Sequence, residues 1–173
     1  MSVKTVILGI LQRGPLHGYD LKRIIGQEMG DWTDIAFGSI YFALDGLAKD
    51  GFVTGETMES AERRPSRIVY TITESGRAEY LRLLREIWQS DAREHSPLDI
   101  GIAFLHDLPR DEVKGYLAAR VVGMEKGLKY LRAHEAETMA QPEVPSESRF
   151  IFSHARFRME AEISWAREVL GSL

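Results

Sequence analysis

Apolar residues Val3, Val6, Ile7, Ile10 and Leu11 recur at the i, i+3, i+4, i+7, i+8 spacing of one helix face, and Gly14-Pro15 supplies a stop, which predicts a helix over 3–13. A second helix opens near His17-Gly18, sets Leu21, Ile24, Ile25 and Met29 on its apolar side, and closes at Gly30. The third enters through Gly38-Ser39, buries Ile40, Leu44, Leu47 and Ala48, and stops at Gly51, which suits a left-handed C-cap. Its opposite side carries Ser39, Tyr41, Phe42, Asp45 and Lys49.

At Phe52 the period changes to two. Phe52–Thr57 and Arg67–Thr73 are rich in Val, Ile, Thr and Tyr and flank polar Glu59–Ser66, the pattern of a two-stranded hairpin with a long tip. Thr73 is placed to cap a helix over 74–89, with Tyr80, Leu81, Leu84, Ile87 and Trp88 along one side. A boundary falls at 90–96, dividing the chain into domains 1–90 and 96–173. Ser96-Pro97-Leu98-Asp99 then starts a short helix.

Val113, Leu117, Val121, Met124, Leu128 and Leu131 step by threes and fours, as in a helix packed lengthwise on another, over 110–139. After the proline-containing break Gln141–Ser146, a last helix over 149–170 has two apolar stripes. One holds Ile151, Ala155, Met159, Ile163, Ala166 and Leu170; the other Phe150, Phe157, Ala161 and Trp165. One antiparallel neighbour covers only one stripe, so the second calls for another subunit, and a homodimer is expected. The fold class is mainly α: an α+β winged helix-turn-helix followed by an all-α dimerisation domain.

The chain has 173 residues, 44% hydrophobic and 28% charged, a globular composition. No apolar run is long enough for a membrane span or a secretory signal, so the expected location is cytoplasmic, without a membrane partner. The absence of cysteine excludes disulfides, thiolate metal sites and cysteine nucleophiles. With a formal charge of −4, any contact with nucleic acid must come from a local patch. Arg63, Arg64 and Arg67, around the hairpin tip, form one: forked guanidiniums suit phosphate or a narrow minor groove. Pairing with Glu56, Glu59 and Glu62 in a solvated loop is the alternative for these arginines.

Three helices followed by a hairpin is the order of a winged helix-turn-helix, whose third helix enters the major groove while the hairpin reaches the flanking backbone. The same scaffold also serves as a protein-interaction module that does not bind DNA, the alternative function here. Hydroxyls of Ser39 and Tyr41 are placed to meet base edges or phosphates, and Lys49, two turns after Tyr41, the backbone. Ile7-Leu8-Gly9-Ile10-Leu11, Gly14-Pro15-Leu16-His17-Gly18-Tyr19-Asp20-Leu21, Gly38-Ser39-Ile40-Tyr41, Leu44-x-x-Leu47, Gly51-Phe52-Val53 and Tyr70-x-x-Thr73-x-x-Gly76, in order over 3–80, resemble the PadR family of transcriptional regulators.

That resemblance implies a dimeric DNA-binding regulator, a repressor released by a small-molecule effector, on a near-palindromic operator in double-stranded DNA. It also singles out Ser39 and Tyr41 on the third helix. Phe42 stands where the family usually has proline, and Asp45-Gly46 replaces the basic residues common there, which shifts weight to the wing. Phe42 is kept among the DNA-binding candidates.

No nucleotide loop, zinc-protease motif or framed carboxylate pair marks an enzyme, and the five histidines lack metal-ligand spacing, so no catalytic residue, metal or cofactor is assigned. For a small aromatic effector the candidate residues are Trp88, at the end of the 74–89 helix, and His154, Phe157 and Arg158, within little more than a turn of the last helix. The first would supply a flat apolar surface, the others a ring, a cation and a titratable donor. Packing roles for Trp88 and Phe157, with Arg158 pairing to Glu162 at i+4, are the plainer alternative.

Overall fold

The computed structural model describes residues 3–30, 33–58, 67–91 and 96–173, in two compact units, Met1–Ala92 and Arg93–Leu173. The first contains α1 (Val3–Leu11), β1 (Leu16–His17), α2 (Gly18–Glu28), α3 (Phe37–Lys49), β2 (Val53–Met58), β3 (Arg67–Ile72) and α4 (Glu74–Gln89). The second contains α5 (Pro97–Ala103), a 3-10 turn (Leu105–Asp107), α6 (Arg110–Met139) and α7 (Ser148–Ser172).

Ile7, Leu8 and Leu11 of α1, Leu21 and Ile25 of α2, Ile40, Leu44 and Leu47 of α3, and Val53 of β2 form the buried centre of the first unit. Burying each side chain contributes about 1.5–3 kcal/mol, so helices this short are stabilised by one shared core rather than by propensity. On α3 the buried row is completed by Ala43, while Ala48 is exposed, correcting its assignment to the inner face. The helix begins at Phe37, one residue ahead of Gly38-Ser39, so Ser39 lies inside its first turn.

Helix α1 stops at Leu11, two residues short of expectation. The amides of Gln12, Arg13 and Gly14 donate to carbonyls three residues back, and Gly14 turns away at φ 142°. The chain thus released pairs Leu16 with Tyr70 and His17 with Val69, so the sheet has three strands in the order β1-β3-β2 rather than two. A two-residue strand is too short to display a period of two.

At the end of α3, the Phe52 amide donates to the Leu47 carbonyl and the Gly51 amide to that of Ala48, with Gly51 at φ 74°. This double closure is a Schellman motif, and it fixes the angle at which the chain leaves α3 for β2. The Thr73 hydroxyl accepts from the Gly76 amide at 3.0 Å, capping α4, and donates to the Gly51 carbonyl at 2.8 Å. Helix α4 packs on the core through Gly76, Tyr80 and Leu83; Leu81, Ile87 and Trp88 of the expected stripe are exposed.

In the second unit α6 and α7 are antiparallel around Leu117, Val121, Ile163 and Ala166. Ion pairs Arg120–Glu162 at 3.0 Å and Arg132–Glu160 at 3.1 Å cross the seam, as does Arg167–Glu125. Of the other expected stripe of α7, Phe150 and Phe157 are 58% and 63% exposed and Ala161 is exposed with them, whereas Trp165 packs on the α6–α7 core, which corrects its assignment to an outward stripe.

Candidate nucleic-acid interface

Stepping about 100° per residue, Gly38, Tyr41, Phe42, Asp45 and Lys49 share the side of α3 opposite Ile40, Ala43, Leu44 and Leu47. All five are exposed, with Phe42 at 83% and Tyr41 at 47%. Lys49 has no carboxylate partner among the described residues, which leaves its ammonium available to an incoming anion. Ser39 sits to one side, half-buried, and its hydroxyl donates to the Ala36 carbonyl at 2.6 Å. Its proton is therefore spent within the helix, and only its acceptor capacity faces outward.

The ring of Tyr41 rests on α2 at Gly18, where a Cβ would lie 3.1 Å from ring atom Cε1. Tyr70 of β3 fills the other side of that glycine, and its hydroxyl ionises above its ordinary range, chiefly because burial disfavours the phenolate and also because Asp45 and Tyr41 are near. Gly18 thus lets α2, α3 and the sheet meet, holding Tyr41 at a fixed place on the exposed face.

Beside that face is a notch of about 330 Å³ lined by Tyr19, Lys22, Arg23, Gly26, Gln27 and Phe37. The Lys22 ammonium stands 4.5 Å from the centre of the Phe37 ring, a cation–π contact that holds the charge at the entry of α3. Sequence reading missed this group because Phe37 was taken as loop; the i, i+4, i+8 spacing of Gly18, Lys22 and Gly26 was the available signal.

The wing is the β2–β3 ladder, running from Val53 opposite Ile72 to Met58 opposite Arg67. Arg67 opens β3, whereas Arg63 and Arg64 lie outside the described residues. Among the effector candidates, Trp88 belongs to the first unit and is 87% exposed. His154, Phe157 and Arg158 belong to the second, exposed together on one face of α7, with the Arg156 guanidinium 4.8 Å from the centre of the Phe157 ring. Glu162, the i+4 neighbour of Arg158, carries the ion pair to Arg120.

A cavity of about 420 Å³ along the α6–α7 seam is lined by Glu125, Leu128, Arg132, Glu160, Ile163, Ser164 and Arg167, and contains none of these candidates. Its guanidiniums are paired to its carboxylates across the seam. Nearby, His134 stacks on Tyr130 at 5.8 Å and meets the edge of Phe152 at 5.6 Å, an aromatic cluster that periodicity alone did not reveal. Among the described residues no group of His, Asp and Glu could hold a metal ion, and no helix is long and apolar enough to cross a membrane.

Residues 7–82 match the Transcriptional regulator PadR-like family. Over that segment, which is less than half of its length, the chain is similar to the family. Over nearly its whole length it is similar to the negative transcriptional regulator PadR of Bacillus subtilis (strain 168), at 25% identity over 99% of this chain and 97% of the relative. The crystal structure of Bacillus subtilis PadR in complex with operator DNA superposes with a TM-score of 0.80 at 24% identity, covering 98% of this chain and 97% of that one. The same protein in complex with p-coumaric acid gives 0.78 at 24% identity, over 98% and 94%. The structural likeness shows that the PadR-like fold extends through the helical second unit, beyond the matched segment 7–82.

Proposed function

We propose that this PadR-like regulator is a dimeric repressor that binds a near-palindromic operator in double-stranded DNA and is released by a small aromatic effector. The carrying observation is the exposed face of α3, where Tyr41, Phe42 and Lys49 stand opposite a fully apolar buried row. In this reading α3 enters the major groove, Ser39 accepts at a base or sugar edge, and Lys49 meets phosphate. Arg63, Arg64 and Arg67 of the wing, with Lys22 in the notch, add further phosphate contacts. The operator complex of the Bacillus subtilis relative supports the reading. Such a protein acts in the cytoplasm, where its DNA is, and has no catalytic role.

The exposed Phe150 and Phe157 of α7 support the homodimer, since exposed aromatic side chains gain by covering one another across a two-fold axis. The p-coumaric acid complex of the relative supports the effector, for which the candidates remain Trp88 of the first unit and His154, Phe157 and Arg158 of the second. Effector and operator must then oppose each other by the same factor, because coupling between two binding equilibria is reciprocal.

The test is a hydroxyl-radical footprint on DNA upstream of the chain's own gene, with and without p-coumarate. Two protected half-sites about 34 Å apart, or a multiple of that, fading as p-coumarate is added, are expected. A single asymmetric half-site would refute the dimer, and protection unchanged by hydroxycinnamates would refute the effector.

A further inference from the structure

Two residues at the centre of the α3 face set it apart from a surface that only tracks phosphate. Phe42 keeps 83% of its surface in water. Asp45, one turn on, is an exposed carboxylate with no ion pair among the described residues. A surface that only tracked the phosphate backbone would carry cations at both places, since a carboxylate approaching phosphate is repelled. Lys49 and Lys22 supply such cations at the end and the entry of the helix, so the acid is confined to the middle.

A phenyl ring and a carboxylate at i and i+3 have Cβ atoms about 5–6 Å apart, within reach of base pairs one or two steps apart along a strand rising about 3.4 Å per nucleotide. In the major groove, an apolar side chain is complemented by the thymine C5-methyl, and a carboxylate by the cytosine N4 amino group. We infer that α3 reads a thymine and a cytosine in each half-site, Phe42 packing on the thymine methyl and Asp45 accepting from the cytosine amino group. Asp45 is then also a discriminator: on DNA without an amino group at that place its charge is buried against a negative surface with nothing to satisfy it. This rests on the DNA-binding reading and adds to it the identity of the bases read.

The experiment uses the full chain to enrich duplexes from a random-sequence library, then replaces each thymine of the selected duplex, one at a time, by deoxyuridine, which deletes only the methyl group. One substitution per half-site is expected to weaken the wild type about fourfold, equivalent to about 0.8 kcal/mol for a methyl-sized apolar group. The same substitution should leave Phe42→Ala unchanged. Asp45→Asn is expected to bind random-sequence duplex more tightly at low salt and to shift its preference at one position from cytosine to adenine, which an amide recognises. If no thymine is sensitive, or the sensitivity persists in Phe42→Ala, the methyl contact is overturned. An Asp45→Asn chain that keeps the cytosine preference and the wild-type affinity for random DNA overturns the acceptor role. A wild type that enriches no duplex overturns the DNA-binding reading itself, an outcome distinct from enrichment without base sensitivity.

Discussion

Substituting Gly76 by alanine tests how the wing is braced against α3. A Cβ built at Gly76 lies 2.0 Å from the Phe52 carbonyl oxygen and 2.9 Å from Cγ1 of Ile72, whereas real contacts stay above 3.0 Å. Helix α4 would have to withdraw by about 1 Å, and the obstacle is backbone, not a side chain that can rotate. The Phe52 carbonyl also accepts the Thr73 amide at 3.0 Å, while the hydroxyls of Thr73 and Ser75 reach the Gly51 carbonyl at 2.8 and 3.0 Å. Withdrawal weakens all three bonds, each worth about 0.5–1.5 kcal/mol net, and adds packing strain of about 1–3 kcal/mol. Alanine returns about 1 kcal/mol of helix propensity. The net expectation is a destabilisation of about 2–4 kcal/mol, and since each kcal/mol moves Tm by about 4–8 °C in a unit of this size, a fall of at least about 8 °C. Scanning calorimetry of the full chain reads it, with Gly123→Ala, where a Cβ meets nothing within 4 Å, as the comparison. A Gly76→Ala protein as stable as the wild type, or stabilised as Gly123→Ala should be, would refute this account of the α3–wing junction.

Replacing Arg63, Arg64 and Arg67 together by alanine should weaken specific and random duplexes alike and lower the salt slope of binding by about one unit per lost phosphate contact; an unchanged slope would return them to a solvated loop. The raised ionisation of Tyr70 means that its stabilising effect is fully present below its ordinary value of 10.0 and is lost as pH rises through the higher folded value. In a spectrophotometric alkaline titration, Tyr70→Phe should therefore reduce the late-ionising amplitude, to which Tyr116 also contributes through its bond to Glu112, and soften the loss of stability at high pH; a late amplitude unchanged in that variant would count against burial as its cause. Glutamate at both Phe150 and Phe157 should give a helical monomer by sedimentation velocity, and a dimer surviving both substitutions would move the subunit contact elsewhere.

Long elements were legible in the sequence because their periods were long. The thirty residues of α6 run from Arg110 to Met139, as the Val113–Leu131 spacing predicts, and the Thr73 cap sits where the hydroxyl residue before the helix placed it. What escaped was either too short for a period or set by tertiary contact. Leu16-His17 becomes strand only because β3 offers an open edge, and Phe37 joins α3 because its ring finds Gly26 and Lys22 on α2. Leu81, Ile87 and Trp88 were read with Tyr80 as one stripe, yet Gly76 fixes which side of α4 meets the core and leaves those three in water. On α3 the exposed candidates were readable from the buried row opposite them, whereas the engaged proton of Ser39 depended on the helix starting at Phe37.

The central claim, that the exposed face of α3 binds operator DNA, is tested most directly by fluorescence anisotropy of a labelled duplex from upstream of the chain's own gene, competed with random-sequence duplex at fixed salt. The account predicts that the wild type discriminates between the two and that Tyr41→Ala and Phe42→Ala, with unchanged circular dichroism, lose that discrimination while Lys49→Ala weakens both duplexes equally. Wild-type binding without discrimination, or discrimination untouched by all three substitutions, would contradict it.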